Sequence, residues 1–430
     1  MSDTVGSFLG GVLGAIGVTR LWGTNPPALP GLVPQRVADA DLALLLAEAD
    51  GRIGPGLGAA WIDGGILHLT NQPGGTSPLL PVADGRDLSD ALTQVVALAT
   101  EGTSVAIGLQ LGIAFDEPLS DDVVVPEVPR SVVSTLSPDL ADQRFVIVVG
   151  PGVIRGGHVD ELAQLAGAMG CPVVNTWGAK GVFRWDSPFH AGTAGLQERD
   201  FELAGVGDAD IVITSGLDPA ESPPDSLGNH MIIDVPSAQL AALTYRWSGR
   251  RPPPEGRPGL YAALSAVVGP LYERDDAPIS PPRAALHLSG ARPDGGLVVA
   301  DAGIAGFWIA RTYPTGDVGS VIVPATVQPG FAVAAAHVAA LDGRRAVAVC
   351  DHLSVEAEAV LELSEASGLA YGVQIWSGDE GEISEPADHV ERSLAGFVGE
   401  TLTIDSVRID ESALDALVAA AGPVVAWGGL

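Results

Sequence analysis

From Phe145 to Val182 the chain reads FVIVVGPGVIRGGHVDELAQLAGAMGCPVVNTWGAKGV. Phe145–Val149 is a continuous β-branched run, the pattern of a strand buried on both faces of a parallel sheet. Val149-Gly150-Pro151-Gly152 ends that strand and opens a turn. His158–Met169 then has helical spacing, with Leu162, Leu165 and Ala166 on one face. Pro172–Asn175 reads as a second strand, and Ile211–Ser215 and Met231–Val235 continue the alternation. Strands alternating with helices imply right-handed crossovers and a doubly wound sheet. The fold class expected is therefore α/β.

Outward from this segment, two proline-rich stretches divide the 430 residues. Pro126–Pro138 precedes it, and Arg251–Pro258 with Pro278–Pro282 follows it. The expected domains are 1–135, 140–275 and 278–430, each of ordinary size. The last repeats the style, with strands at Gly296–Ala300, Ser320–Val323, Ala346–Cys350 and Gly372–Trp376. In the first, Asp90–Ala99 reads as a helix and Val105–Gly112 as a strand. The architecture predicted is three doubly wound parallel-sheet domains.

Composition narrows the function. Apolar residues make up 47% and aromatics only 5%, which suits sheets covered by helices. The net charge is -31 and Lys180 is the only lysine. Such a field repels phosphate backbones and anionic lipid, so neither a nucleic-acid nor a membrane partner is expected. Cys171 and Cys350 suggest neither a disulfide framework nor a zinc site. Val5–Val18 is apolar but lacks a basic lead and is short for a span, so it reads as a first helix of a soluble, cytoplasmic protein. Residues 351–400 carry twelve acids against one base, Arg392, the pattern of a solvated face with an acidic loop around Gly378–Asp388.

Three local features carry candidate chemistry. At Gly150 and Gly152 a nucleotide phosphate could rest on backbone N–H groups. The full dinucleotide fingerprint is absent, because Gly156–Gly157 falls at the wrong spacing, so a plain strand-to-helix turn is the competing reading. Lys180 is a candidate base or phosphate contact, or simply part of the turn between Gly178 and Gly181. His190, beside a Pro-Phe turn, reads as a packed or surface residue rather than a catalyst.

Cys171–Val182, Pro188-Phe-His-Ala-Gly-Thr-Ala-Gly195, Asp208-Ala-Asp-Ile-Val-Ile213 and Gly216-Leu-Asp218, in that order, resemble the central domain of thiamine diphosphate enzymes. The acetolactate synthase and 2-hydroxyacyl-CoA lyase branch is the most similar. In that family the domain is Rossmann-like and in some members binds FAD or ADP. Val298-Val-Ala-Asp-Ala-Gly303, Thr326-Val-Gln-Pro-Gly-Phe-Ala-Val-Ala-Ala-Ala336 and Ala346-Val-Ala-Val-Cys-Asp-His352 look like the diphosphate-type domain. Leu21-Trp-Gly-Thr24 and Thr70-Asn-Gln-Pro-Gly-Gly-Thr-Ser77 look like the pyrimidine-type domain. The resemblance implies cofactor contacts at Gly303, Val327, Gln328, Gly330 and Asp351, with Gly150, Gly152 and Lys180 in the central domain. It implies magnesium at Asp351 with Ser377 or Asp379.

The departures from the family are as informative. The glutamate that activates the cofactor lies nine residues before the glycine that is Gly51, which places Leu42 there. Asp41 is adjacent, but one residue along a helix turns a side chain by about 100°. Cys350 and His352 replace the glycines that flank the metal-binding aspartate. Val327 is short for the residue that bends the cofactor, and reads equally as core; Gln328 replaces a glycine beside it. Only twelve residues separate Ser77 from Asp90, where the family has a further strand–helix–strand unit. The expectation is a non-catalytic chain serving as a structural or regulatory subunit, with thiamine diphosphate and magnesium binding weak or lost. The alternatives are an active lyase or carboligase on 2-keto acids or acyl-CoA substrates, and a nucleotide-binding module built on the central domain. Because the family's site lies between two chains, a homodimer, a homotetramer or a hetero-oligomer with a competent paralogue is expected.

Overall fold

A computed structural model describes residues 4–54, 56–62, 64–71, 78–119, 123, 136, 140, 142–247, 251–379 and 385–429. The chain forms two compact units, Met1–Val132 and Val133–Leu430.

The first unit runs α1 (Val5–Ala15), β1 (Arg20–Gly23), β2 (Val33–Arg36), α2 (Ala40–Ile53), β3 (Gly58–Ile62), β4 (Ile66–Thr70), β5 (Leu79–Val82), α3 (Gly85–Thr100) and β6 (Ala106–Leu111). The sheet order is β2-β1-β3-β4-β6-β5. Asp39 and Asp84 cap α2 and α3, their carboxylates accepting from first-turn amides. α2 lies directly on the sheet: a Cβ at Gly58 would stand 1.6 Å from the Ala47 carbonyl, so only glycine fits. The sheet departs from the all-parallel expectation at β4, which runs antiparallel to both β3 and β6. Gly64 and Gly65, at φ of 94° and 81°, reverse the chain between β3 and β4. Between Ser77 and Asp90 the structure holds β5, paired parallel to β6, and the start of α3.

The second unit contains two five-stranded, wholly parallel sheets. One comprises β7 (Phe145–Val149), β8 (Val173–Thr176), β9 (His190–Ala194), β10 (Ile211–Ser215) and β11 (Met231–Asp234), ordered β11-β10-β7-β8-β9. Its helices are α4 (Gly152–Arg155), α5 (Val159–Met169), α6 (Asp200–Leu203) and α7 (Leu240–Arg246). α8 (Gly259–Tyr272) leads on to α9 (Pro281–Ala291), whose first turn opens with Pro281 and Pro282 behind the capping hydroxyl of Ser280. The other sheet comprises β12 (Leu297–Ala300), β13 (Val321–Ile322), β14 (Ala346–Cys350), β15 (Gly372–Ser377) and β16 (Thr403–Arg408), ordered β13-β12-β14-β15-β16. It is covered by α10 (Ile304–Thr312), α11 (Phe331–Leu341), α12 (Val355–Ala366), α13 (Pro386–Val398) and α14 (Leu414–Ala421).

Trp177, from the loop after β8, is buried in the same apolar cluster as Trp308 and Trp376, and its indole donates to the Pro324 carbonyl at 3.0 Å. Buried Arg311 of α10 reaches the other sheet. It donates to both carboxylate oxygens of Asp200 (3.0 and 2.8 Å), to Gln197 Oε1 and to the Thr193 carbonyl. Most of Pro126–Pro138, the resemblance segment 72–77 and residues 380–384 of the expected acidic loop lie outside the described residues.

Candidate functional site

In an open parallel sheet, ligands bind beyond the carboxyl ends of the strands where the winding reverses. In the third sheet the chain passes from β12 outward to β13 and then back to β14 on β12's other side, so the reversal lies between β12 and β14. Each of those strands ends on an acid, Asp301 after Ala300 and Asp351 after Cys350.

Both acids are turned onto helix N-termini, whose unpaired amides are natural anion sites. Asp351 accepts from Ile304 N–H through Oδ2 at 3.0 Å and from Ala305 N–H through Oδ1 at 2.6 Å, in the first turn of α10. Asp301 Oδ1 accepts from Ala332 N–H at 2.6 Å, in the first turn of α11. Gly303, at φ 139°, leaves the room: a Cβ there would sit 2.0 Å from Asp351 Oδ2. A Cβ at Gly330, at φ 77°, would stand 2.7 Å from the amide nitrogen of Ala357. Burial pushes the Asp301 carboxyl up to about 7, with the charge of Asp351 adding to it. Asp351 is raised too, by burial, against its two amide bonds.

The remaining residues expected at this site are spread along its rim. Val327 is 58% exposed, so the ordinary-core reading does not hold for it. Gln328 is half-buried, and His352 is exposed. The Cys350 thiol is buried and burial raises its pKa strongly, which suits a small apolar side chain rather than a ligand. Ser377 Oγ accepts from the Asp379 amide at 3.3 Å. Glu411, absent from the sequence reading, stands against Gly378; burial raises its carboxyl, and the charges of Asp351 and Asp379 add. Among the described residues no three His, Cys, Asp or Glu side chains converge as a metal site needs.

The amides of Ile304, Ala305 and Ala332 are bonded to the chain's own carboxylates, so a diphosphate would have to displace Asp301 and Asp351 from them, and a cation such as magnesium would be needed to offset the charge of the two acids.

The second sheet reverses between β7 and β10, and there too the amides are spent. Gly150 N–H donates to the Ser215 carbonyl and Gly152 N–H to that of Gly216. A Cβ at Gly150 would be 2.3 Å from the Gly216 carbonyl oxygen. The tight-turn reading describes this geometry, and a FAD or ADP phosphate would find those two donors taken. In α2, Leu42 is buried and Asp41 exposed, as the one-residue rotation implies. Lys180 belongs to neither reversal. It is 7% exposed, on the wall of a cavity of about 410 Å³ between α8 and α10. Sequence reasoning quoted Asp301 within its strand but did not single it out; its position one residue beyond a buried β-run was the available signal.

Comparison with known proteins agrees with this architecture. Residues 140–240 match the family model of the thiamine pyrophosphate enzyme central domain. A sulfoacetaldehyde acetyltransferase from Castellaniella defragrans is 36% identical over 78 residues, which is 18% of this chain and 13% of that protein. The chain thus spans a small fraction of the curated relative it matches. An X-ray structure from Mycobacterium smegmatis, provisionally assigned as a thiamin diphosphate-dependent enzyme, superposes with a TM-score of 0.65 at 16% identity. The superposition takes in 95% of this chain and 100% of that one. No helix among the described residues is long and apolar enough to cross a membrane. Residues 140–240 are thus similar to the central domain of thiamine pyrophosphate enzymes, and almost the whole chain shares the fold of the Mycobacterium smegmatis structure.

Proposed function

We propose that this chain is an acetolactate-synthase-like homologue that no longer carries out the superfamily's chemistry and serves as a structural or regulatory subunit. One observation carries the reading: the amides at the β12–β14 reversal are capped by Asp301 and Asp351 rather than left open to an anion. Leu42 in place of the activating acid, and Cys350 and His352 in place of flanking glycines, point the same way. Activation needs these parts together, so their losses compound.

The subunit role draws support from α13. Val390, Leu394 and Val398 recur every fourth residue and are 43%, 48% and 50% exposed, an apolar stripe suited to a second chain. Sedimentation of the purified protein at micromolar concentration is expected to give a dimer or tetramer, and a monomer would remove that half of the reading.

Calorimetry tests the other half. Wild-type protein titrated with thiamine diphosphate, with and without magnesium, is expected to give no binding heat at millimolar ligand. Asp351→Gly, which frees the Ile304 and Ala305 amides, is expected to gain binding of inorganic phosphate. Micromolar, magnesium-dependent binding by the wild type, abolished in Asp351→Gly, would instead make Asp351 a metal ligand and the chain an enzyme.

A further inference from the structure

Lys180 reaches the wall of the cavity between α8 and α10 from the loop after β8, and it is the chain's only lysine. A side chain more than nine-tenths buried ordinarily has a partner if it is charged. Lys180 has no hydrogen bond or ion pair through its amine among the described residues. The charge that most affects it is Arg311, another cation, and Arg311 is committed to Asp200 and Gln197. Burial first, and Arg311 second, bring the amine down to about 7, so a large share of it is uncharged at neutral pH.

The rest of the wall suits a neutral guest. Leu264, Val268 and Tyr272 give it an apolar lining. His190, on the same wall, is held near 4 by burial and by the charge of Lys180. Its Nε2 lies 3.1 Å from Asn175 Oδ1. The Asn175 amide nitrogen donates to the Thr176 carbonyl and to Thr193 Oγ1, so Oδ1 is the acceptor and Nε2 carries the hydrogen. Nδ1 is sealed from the cavity, and the Trp185 carbonyl beside the ring opposes the lowering.

From this juxtaposition we propose that the cavity binds neutral, largely apolar aldehydes or ketones and that Lys180 condenses with them to an imine. The Nζ lone pair adds to the carbonyl carbon, and the carbonyl π electrons move to oxygen. The proton released from nitrogen passes by way of solvent water in the cavity to that oxygen. The carbinolamine then loses its hydroxyl and a nitrogen-bound proton as one water, leaving C=N. Amine and carbonyl give imine and water, and no oxidant or reductant is consumed. A desolvated lysine of lowered pKa is the usual nucleophile for this step.

The test is reductive trapping of the full-length protein with benzaldehyde and sodium cyanoborohydride, followed by peptide mass mapping. One benzyl group on Lys180 is expected, and labelling should saturate with benzaldehyde and fall under excess benzyl alcohol. Its pH dependence should have a midpoint shifted from about 10.5 to about 7. Lys180→Met should retain the near-ultraviolet circular dichroism of the wild type and lose the label; if it does not fold, the wild-type map alone decides. Label confined to the N-terminal amine, or on Lys180 without saturation, would overturn the proposal. So would benzoate binding to the unlabelled cavity without trapping of the aldehyde, which would make Lys180 an anion contact.

Discussion

Asp301 is the residue whose ionisation the fold resists most clearly. Its carboxyl rises from 3.8 to about 7 through burial, with Asp351 adding to the shift and the amide of Ala332 opposing it. Between those two values the folded chain holds a proton that the unfolded chain has released, so stability falls as the pH climbs through that window and levels off above it. Asp301→Asn keeps the acceptor for Ala332 and removes the titration. It is expected to stabilise the protein by roughly 4 kcal/mol at pH 8 and by little at pH 4, measured by urea unfolding at both values. Half of this pair was legible in the sequence. Asp351 ends a strand at a place the family resemblance marks. Asp301 lies far from it along the chain, and only the pairing of β12 with β14 brings the two carboxylates within reach of each other's charge. The rotation between Asp41 and Leu42 was legible outright, because helix geometry fixes it.

Among the elements, the continuous β-branched runs were the readable ones. Phe145–Val149, Ile211–Ser215 and Ala346–Cys350 are strands at the predicted residues, since each is buried on both faces of a parallel sheet. β9 and β16 were missed for opposite reasons. His190-Ala-Gly-Thr-Ala194 is small and contains a glycine, and only its place beside β8 makes it a strand. Thr403–Arg408 sits at the sheet edge with only Val407 buried, so it has no apolar run. The antiparallel β4 depends on a glycine turn that the parallel reading passed over. At this scale α10 is the decisive element, because its N-terminus carries the amides capped by Asp351 while Arg311, near its other end, is tied to Asp200. Arg311→Met would leave Asp200 as a buried charge with no partner cation. A loss of about 3–5 kcal/mol is expected from urea unfolding, partly restored by adding Asp200→Leu.

Across the whole molecule, acidity and buried histidines set the response to pH. His287 and His389 lie with their Nδ1 atoms 3.2 Å apart, brought down to about 4 and about 3, chiefly by burial. Arg283 and Arg392 push the same way, and Asp275 opposes the shift at His287. His190 is likewise held near 4. These rings stay neutral in the folded chain while the unfolded chain protonates them near 6.5, so their contribution is complete above that pH and is lost as the pH falls towards 4. Replacing His287 and His389 together with asparagine should flatten the acid side of a melting-temperature profile relative to wild type between pH 6.5 and about 4. An unchanged slope would mean that the pair is not buried neutral. The central claim is that the chain fills its own diphosphate cradle, and the position of one carboxylate tests it most directly. Crystals grown with millimolar thiamine diphosphate and magnesium should show Asp351 on the amides of Ile304 and Ala305, with no ligand density beside Gly303. Diphosphate oxygens on those two amides, with Asp351 turned to a metal, would contradict the account.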